Sequence, residues 1–139
     1  MARISYNAEL LEIMKLFENI TDTKLKDCFI DHNLLLTFIV QENQLGKAIG
    51  KKAVNVRRLE KLLNRKIKIV EFNPTLEQFV KNLVQPLKVE KVNVDNGYVE
   101  VTGLDTKTKA MLIGRNKSNL TNNEDIIKKY FQINGLRVL

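Results

Sequence analysis

Hydrophobic positions recur along this chain at two spacings, and the switches between them divide it into two similar halves. Over residues 6–19, Leu10, Ile13, Met14 and Phe17 fall on one side of a helix, with Glu9, Glu12, Lys15 and Glu18 on the other. After a turn at 22–24 the pattern changes to strand-like runs over 26–30 and 34–40, joined by Asp31-His32-Asn33. A helical pattern returns over 44–63, broken at Gly50, where a glycine is expected to stop the first helix in a left-handed C′ conformation. In the second helix Val56, Leu59, Leu62 and Leu63 form the predicted apolar face. Lys66 to Glu71 alternates and predicts a third strand. The first half therefore reads α-β-β-α-α-β.

Asn73-Pro74 marks the boundary, because the residue before a proline is pushed out of helical geometry. The second half repeats the order. Residues 75–84 predict a helix with Leu76, Phe79, Val80 and Leu83 inward, ended by Pro86. Strands over 89–94 and 98–102 flank Asn96-Gly97, the residue pair of a type I′ hairpin turn. A helix over 105–113 starts at the N-cap residue Asp105. After a loop at 114–117 come a long helix over 118–131 and a last strand over 136–139. The expected fold class is α+β. It consists of two consecutive α-β-β-α-α-β units, residues 1–72 and 73–139, each with a three-stranded sheet packed against helices.

The two halves also share a local motif. Ile49 to Val56 aligns with Ile113 to Leu120 as I-G-[K/R]-x-x-x-N-[V/L]. Two copies in matching positions within matching elements indicate an internal repeat.

Charge separates the copies. The chain carries 23 Lys+Arg against 16 Asp+Glu, a formal charge of +7. Nine of the basic residues lie between positions 44 and 68, where Glu60 is the only acid. The rest of the chain is close to neutral, so one basic segment dominates and favours an anionic partner such as nucleic acid. Arg57, Lys61 and Arg65 follow at helical spacing with Arg58 beside them, on a face other than the apolar one. Lys51-Lys52 precedes this helix. Free backbone N–H groups, the positive end of the helix dipole and several cations thus converge where a phosphate could sit.

Two helices joined by a four-residue glycine-led loop, with a three-stranded sheet behind, resemble the KH arrangement, in which a GXXG loop clamps the nucleic-acid backbone. A helix and two strands before the loop resemble the type II KH fold. The whole chain resembles the archaeal NusA-like transcription factors, on Asp27-Cys28, Gly46 to Lys51, Asn55-Val56, Val70 to Phe72, Phe79 to Leu83, Pro86, Ile113 to Asn116, Asn119 and Lys129 to Phe131.

That resemblance implies binding of single-stranded RNA by both units during transcription elongation or termination, beside RNA polymerase. Gly50 and Gly114 would permit the loops. Lys51, Lys52 and Arg115 would neutralise phosphate, Arg57, Arg58 and Lys61 would extend the track, and Ile49 would line a groove for bases. Gly46, Lys47, Ala53, Asn55, Ile113, Asn116, Lys117 and Asn119 complete the set of RNA-binding candidates. The sequence departs from the family pattern at the fourth loop position, usually glycine, with Ala53 and Lys117. Ala53 adds one methyl, whereas Lys117 adds a long side chain where the backbone of the ligand should approach. The first loop is therefore expected to be the stronger binder. Two other readings use the same features: a KH protein of ribosomal RNA or ribosome assembly, and a protein-binding scaffold with degenerate loops.

Other chemistry is sparse. With one His, one Cys and no P-loop or metal-ligand pattern, no catalytic residue, metal or cofactor is assigned, and the protein is expected not to be an enzyme. Gly46-x-x-x-Gly50 has the spacing of a membrane-helix dimer motif but lies among lysines. His32 reads as a solvated turn residue, Cys28 as a packed thiol, and Phe79 and Phe131 as core positions. With 6% aromatics and no Trp, base stacking on exposed rings is not expected to dominate. Met1 to Ser5 lacks the apolar core of a signal peptide, and the apolar run Leu34 to Val40 is too short to span a bilayer. A soluble cytoplasmic protein without a membrane partner is expected.

Overall fold

The computed structural model describes residues 8–139. Met1 to Ser5 and the first two positions of the predicted opening helix, 6–7, lie outside the described residues. The chain divides into two compact units. One holds the residues up to Ile30 and Leu34–Phe72, the other Asp31–Asn33 and Asn73–Leu139.

The first unit runs α1 (Ala8–Thr21), β1 (Leu25–Ile30), β2 (Leu36–Val40), α2 (Leu45–Ile49), α3 (Val54–Leu63) and β3 (Ile67–Glu71). Its sheet has the order β1-β2-β3, with β1 antiparallel and β3 parallel to the central strand. Alternation sends Leu36, Phe38 and Val40 of β2 into one core with Leu10 and Phe17 of α1, Cys28 of β1, Ala48 of α2 and Leu59 of α3. Phe17 and Phe38 stack at its centre with ring centroids 4.2 Å apart. Cys28 is packed, as its place in the strand suggests. Burial, reinforced by the neighbouring Asp27 charge, pushes its thiol pKa up to about 12, so it stays protonated and unreactive at neutral pH.

Two details of the predicted pattern are corrected. The second strand starts at Leu36 rather than at residue 34, because Leu34 has a positive φ of 63° and belongs to the hairpin turn. In α3, Leu62 is 57% exposed and does not join Leu59 on the buried face. Leu59 is buried, and Val56 and Leu63 are half-buried beside it.

The second unit runs α4 (Leu76–Val84), β4 (Val89–Asp95), β5 (Tyr98–Gly103), α5 (Thr106–Ile113), α6 (Ser118–Lys128) and β6 (Gly135–Val138). The sheet order β4-β5-β6 repeats the first, with an antiparallel and then a parallel pairing. The fold is therefore α+β with two KH-type units. Asn96 and Gly97 both have positive φ, as a type I′ turn requires. Asp105 caps α5, its carboxylate accepting from the Thr108 N–H at 2.7 Å.

Helix α6 ends at Lys128, three residues before the predicted limit. There the Lys129 and Tyr130 N–H groups bond back only three residues, to Ile126 and Ile127. This tighter turn leaves Tyr130 and Phe131 against Phe79, each with its ring centroid 5.6 Å away. Within the same unit the Asp31–Asn33 turn is held by Asn122, which accepts from the His32 N–H and donates to Asp31. His32 is exposed as expected, but it also has a partner: its Nε2 lies 2.6 Å from Asp125 Oδ2. Among the described residues no helix is long and apolar enough to cross a membrane.

Candidate nucleic-acid interface

Each unit presents one loop between its paired helices, and the two backbones agree almost angle by angle. Gly50 ends α2 with its N–H donating to Gly46 O at 3.0 Å, and adopts φ 79°, ψ 166°. Gly114 ends α5 with its N–H donating to Ala110 O at 2.9 Å, at φ 74°, ψ 173°. This is not the left-handed helical conformation expected from the sequence. It is an extended conformation at positive φ, open essentially to glycine alone.

A single 3-10 turn follows in each unit, Lys51–Ala53 and Arg115–Lys117. The third and fourth loop residues are both left-handed: Lys52 (φ 55°, ψ 32°) and Ala53 (φ 58°, ψ 31°), then Asn116 (φ 54°, ψ 33°) and Lys117 (φ 61°, ψ 23°). Close approach of a ligand is the reason for glycine at the fourth position that the sequence suggests. The backbone supplies another, since an L-residue there costs about 1–2 kcal/mol. Ala53 and Lys117 share that cost. They differ in what their side chains place in the site: Ala53 is half-buried and Lys117 exposed.

Side chains brace both loops in the same way. Asn55 Nδ2 donates to Lys47 O at 3.1 Å, and Asn119 Nδ2 donates to Met111 O at 2.9 Å. Both asparagines were RNA-binding candidates by sequence, and both have an amide engaged with the preceding helix. A second pair was missed. Glu60 Oε2 accepts from the Ile67 N–H at 3.0 Å, and Glu124 Oε1 from the Leu136 N–H at 2.7 Å, so each ties the second helix to the last strand of its unit. The clue in the sequence was their equal distance from the asparagines, hidden because an acid on a charged helix face reads as a solvated group.

The charges are not repeated. Lys51, Lys52, Arg57, Arg58 and Lys61 are all exposed along the first loop and α3. The Arg57 guanidinium donates to the Lys52 carbonyl and so holds one of the two left-handed residues. Arg65 is half-buried and donates to Leu34 O at 3.0 Å, which takes it off the track. Lys47 Nζ lies 3.0 Å from Asp22 Oδ2, a pair that is largely in solvent. In the second unit Arg115, Asn116 and Lys117 are exposed, but α6 continues with Glu124, 3.8 Å from Lys128, and with Asp125 opposite His32.

Apolar surface accompanies the first loop. Ile49 and Ile113 are half-buried beside their glycines, and Val54, which sequence reasoning did not assign to the site, is 49% exposed at the start of α3. A Cβ placed on Gly46 would meet nothing within 4 Å, so packing does not demand a glycine there and the surface of α2 is open at that point.

This arrangement agrees with what the chain is similar to. The family model described as NusA-like second KH domain matches residues 19–75, from the end of α1 through the first loop to just beyond β3. A protein of Methanocaldococcus jannaschii named "Probable transcription termination protein NusA" is 28% identical over 144 residues, covering 100% of this chain and 77% of that protein. The protein of the same name from Halobacterium salinarum is 29% identical over 140 residues, covering 97% of this chain and 98% of its own length. Among solved structures, the crystal structure of APE1850 superposes with a TM-score of 0.73 at 28% identity, covering 93% of this chain and 96% of that one.

Proposed function

This chain is an archaeal NusA-like protein with two KH-type units, and from that premise we propose that it grips single-stranded RNA as a transcription elongation or termination factor. The two KH domains follow the sequence repeat, residues 1–72 and 73–139, with the Asp31–Asn33 turn grouped in the second compact unit. The observation that carries the reading is the first loop. There Lys51 and Lys52 stand exposed between a helix that Gly50 has stopped and the amide end of α3, with Arg57, Arg58 and Lys61 following along that helix.

The mechanism is electrostatic positioning followed by local fit. Phosphate meets the first turn of α3 beyond Val54, whose own N–H is taken by the Lys51 carbonyl; the helix dipole is positive there, and the lysines neutralise the phosphate. The exposed basic residues of α3 carry the backbone onward. Bases turn toward the apolar surface of Ile49 and Val54, and the open face at Gly46 lets the strand lie close to α2. Lys47, beside Asp22, contributes less than the loop lysines, because its charge already has an opposite neighbour. The second loop adds a weaker contact through Gly114, Arg115, Asn116 and Lys117.

Titration with a labelled single-stranded RNA at low salt tests this, together with capture of partners from a cell extract. RNA binding with recovery of RNA polymerase supports the reading. Binding with recovery of ribosomal particles instead would move it to ribosome assembly, and no binding to RNA would leave the scaffold reading.

A further inference from the structure

We propose that Asn55 and Asn119 are positioning residues: each fixes the shape of its loop through the backbone of the preceding helix and does not need to touch RNA. The inference rests on the RNA reading only for its effect on affinity.

The last carbonyls of a helix have no partner within it. In α2 the Gly46 carbonyl is taken by the Gly50 N–H, after which the chain leaves the helix. The Lys47 carbonyl is next in order and has lost the donor that a continuing helix would supply. Asn55, the second residue of α3, supplies it at 3.1 Å. A carbonyl can only accept, so the nitrogen end of the amide must face it. The bond joins residues eight apart and closes the whole loop between them. The same closure, again over eight residues, joins Asn119 to Met111 at 2.9 Å.

The glycine completes this device. A Cβ on Gly50 would lie 2.9 Å from Asn55 Nδ2 and 3.0 Å from its Cγ. On Gly114 it would lie 2.7 Å from Asn119 Nδ2 and 2.8 Å from its Cγ. Each amide therefore sits in the space that its glycine leaves empty. The residues between differ at every place, Lys51-Lys52-Ala53 against Arg115-Asn116-Lys117, yet the backbone angles agree. The loop residues cannot be what sets a shape they share, whereas the Gly–Asn pair is present in both. In the second unit the other end of the amide is also committed to protein, Asn119 Oδ1 accepting from Asn33 Nδ2 at 3.1 Å.

Amide hydrogen exchange in RNA-free protein tests the role directly. Asn55→Ala removes the donor, and Asn55→Asp keeps the shape while leaving only acceptors. In both, the hydrogen-bonded amides of Ala53 and Val54 should exchange about tenfold faster, while the strands of the first unit keep their protection. RNA affinity of Asn55→Ala should fall several-fold. Should the first unit unfold, Asn119→Ala decides the matter through the amides of Lys117 and Ser118. Wild-type exchange at these amides in the folded variants overturns the positioning role, whatever happens to RNA binding. Faster exchange in a protein whose unaltered form binds no RNA upholds the positioning role and overturns the RNA reading alone.

Discussion

The loops Gly50–Ala53 and Gly114–Lys117 have one backbone and two chemistries. Their glycines share an extended positive-φ conformation, their third and fourth residues are left-handed, and their asparagines and glutamates make equivalent bonds. What differs is charge. The first loop opens onto a helix with Arg57, Arg58 and Lys61 exposed, whereas the corresponding places in α6 hold Thr121, Asn122 and Asp125. The first loop also has an extra brace, from the Arg57 guanidinium to the Lys52 carbonyl. The comparison teaches that one loop backbone, with the same asparagine bonds beside it, accommodates different residues at all three positions after its glycine. A repeat can therefore change the charge beside its loop and keep its architecture.

The largest expected effect is on binding. Lys51→Asp with Lys52→Asp should weaken RNA affinity by about a hundredfold or more, because two attractions become repulsions at a helix N-terminus. Arg115→Asp with Asn116→Asp should weaken it by less than about tenfold, since the neighbouring helix offers no track to disrupt. Fluorescence anisotropy on both variants, after circular dichroism has shown each to be folded, makes the comparison. Equal losses would turn the pair into a symmetric binder.

Next come the glycines. Gly50→Ala and Gly114→Ala should each destabilise their unit by about 1–3 kcal/mol, since the backbone angles suit glycine alone. Gly114→Ala should be the worse of the two. Its Cβ would meet the Asn119 backbone nitrogen at 2.9 Å, whereas the three nearest atoms to a Cβ on Gly50 are all in side chains. Urea unfolding gives both values, and a harmless Gly114→Ala would show that the two loops are not built alike.

The fourth position should give a smaller, opposite effect. Ala53→Gly and Lys117→Gly should each stabilise by about 1 kcal/mol, because both residues are left-handed. Binding then sharpens the contrast. If close approach governs the second loop, Lys117→Gly should hold or raise affinity while the salt slope drops slightly. If Lys117 is itself a phosphate contact, affinity should fall.

Smallest is the effect of pH at the start of α5. The Thr108 backbone N–H donates to Asp105 and holds its carboxyl below the ordinary value of 3.8. A lowered pKa means that this cap stabilises above the unfolded value and is lost as pH falls through the folded one. The second unit should thus lose stability below about pH 4, and Asp105→Asn should flatten that part of the profile. Helix α2 has no side-chain cap and offers no counterpart.

Much of this was legible in the sequence. The spacing of Leu10 and Phe17, the Asn96-Gly97 turn, the Asp105 cap and the repeated I-G motif gave the elements and their order, because each follows from local geometry. The repeated asparagines were visible too, as RNA-binding candidates; their bonds to the Lys47 and Met111 carbonyls were not, since nothing in a sequence tells whether an amide points outward or back to a carbonyl. Glu60 and Glu124 were passed over because their partners, the N–H groups of Ile67 and Leu136, become neighbours only when the last strand has docked. Leu62 was assigned to the buried face because helical spacing gives a direction but not the width of the covering surface. The need for glycine at the fourth loop position was read as a matter of size. That it is also a matter of φ appears only when the backbone is seen.

The central claim is that a short basic loop and its helix hold the phosphates of single-stranded RNA, and the salt dependence of affinity tests it most directly. With about four phosphates neutralised, the logarithm of the association constant should fall against the logarithm of salt concentration with a slope of about −3. Binding that does not change with salt, or no binding even at low salt, would contradict the account.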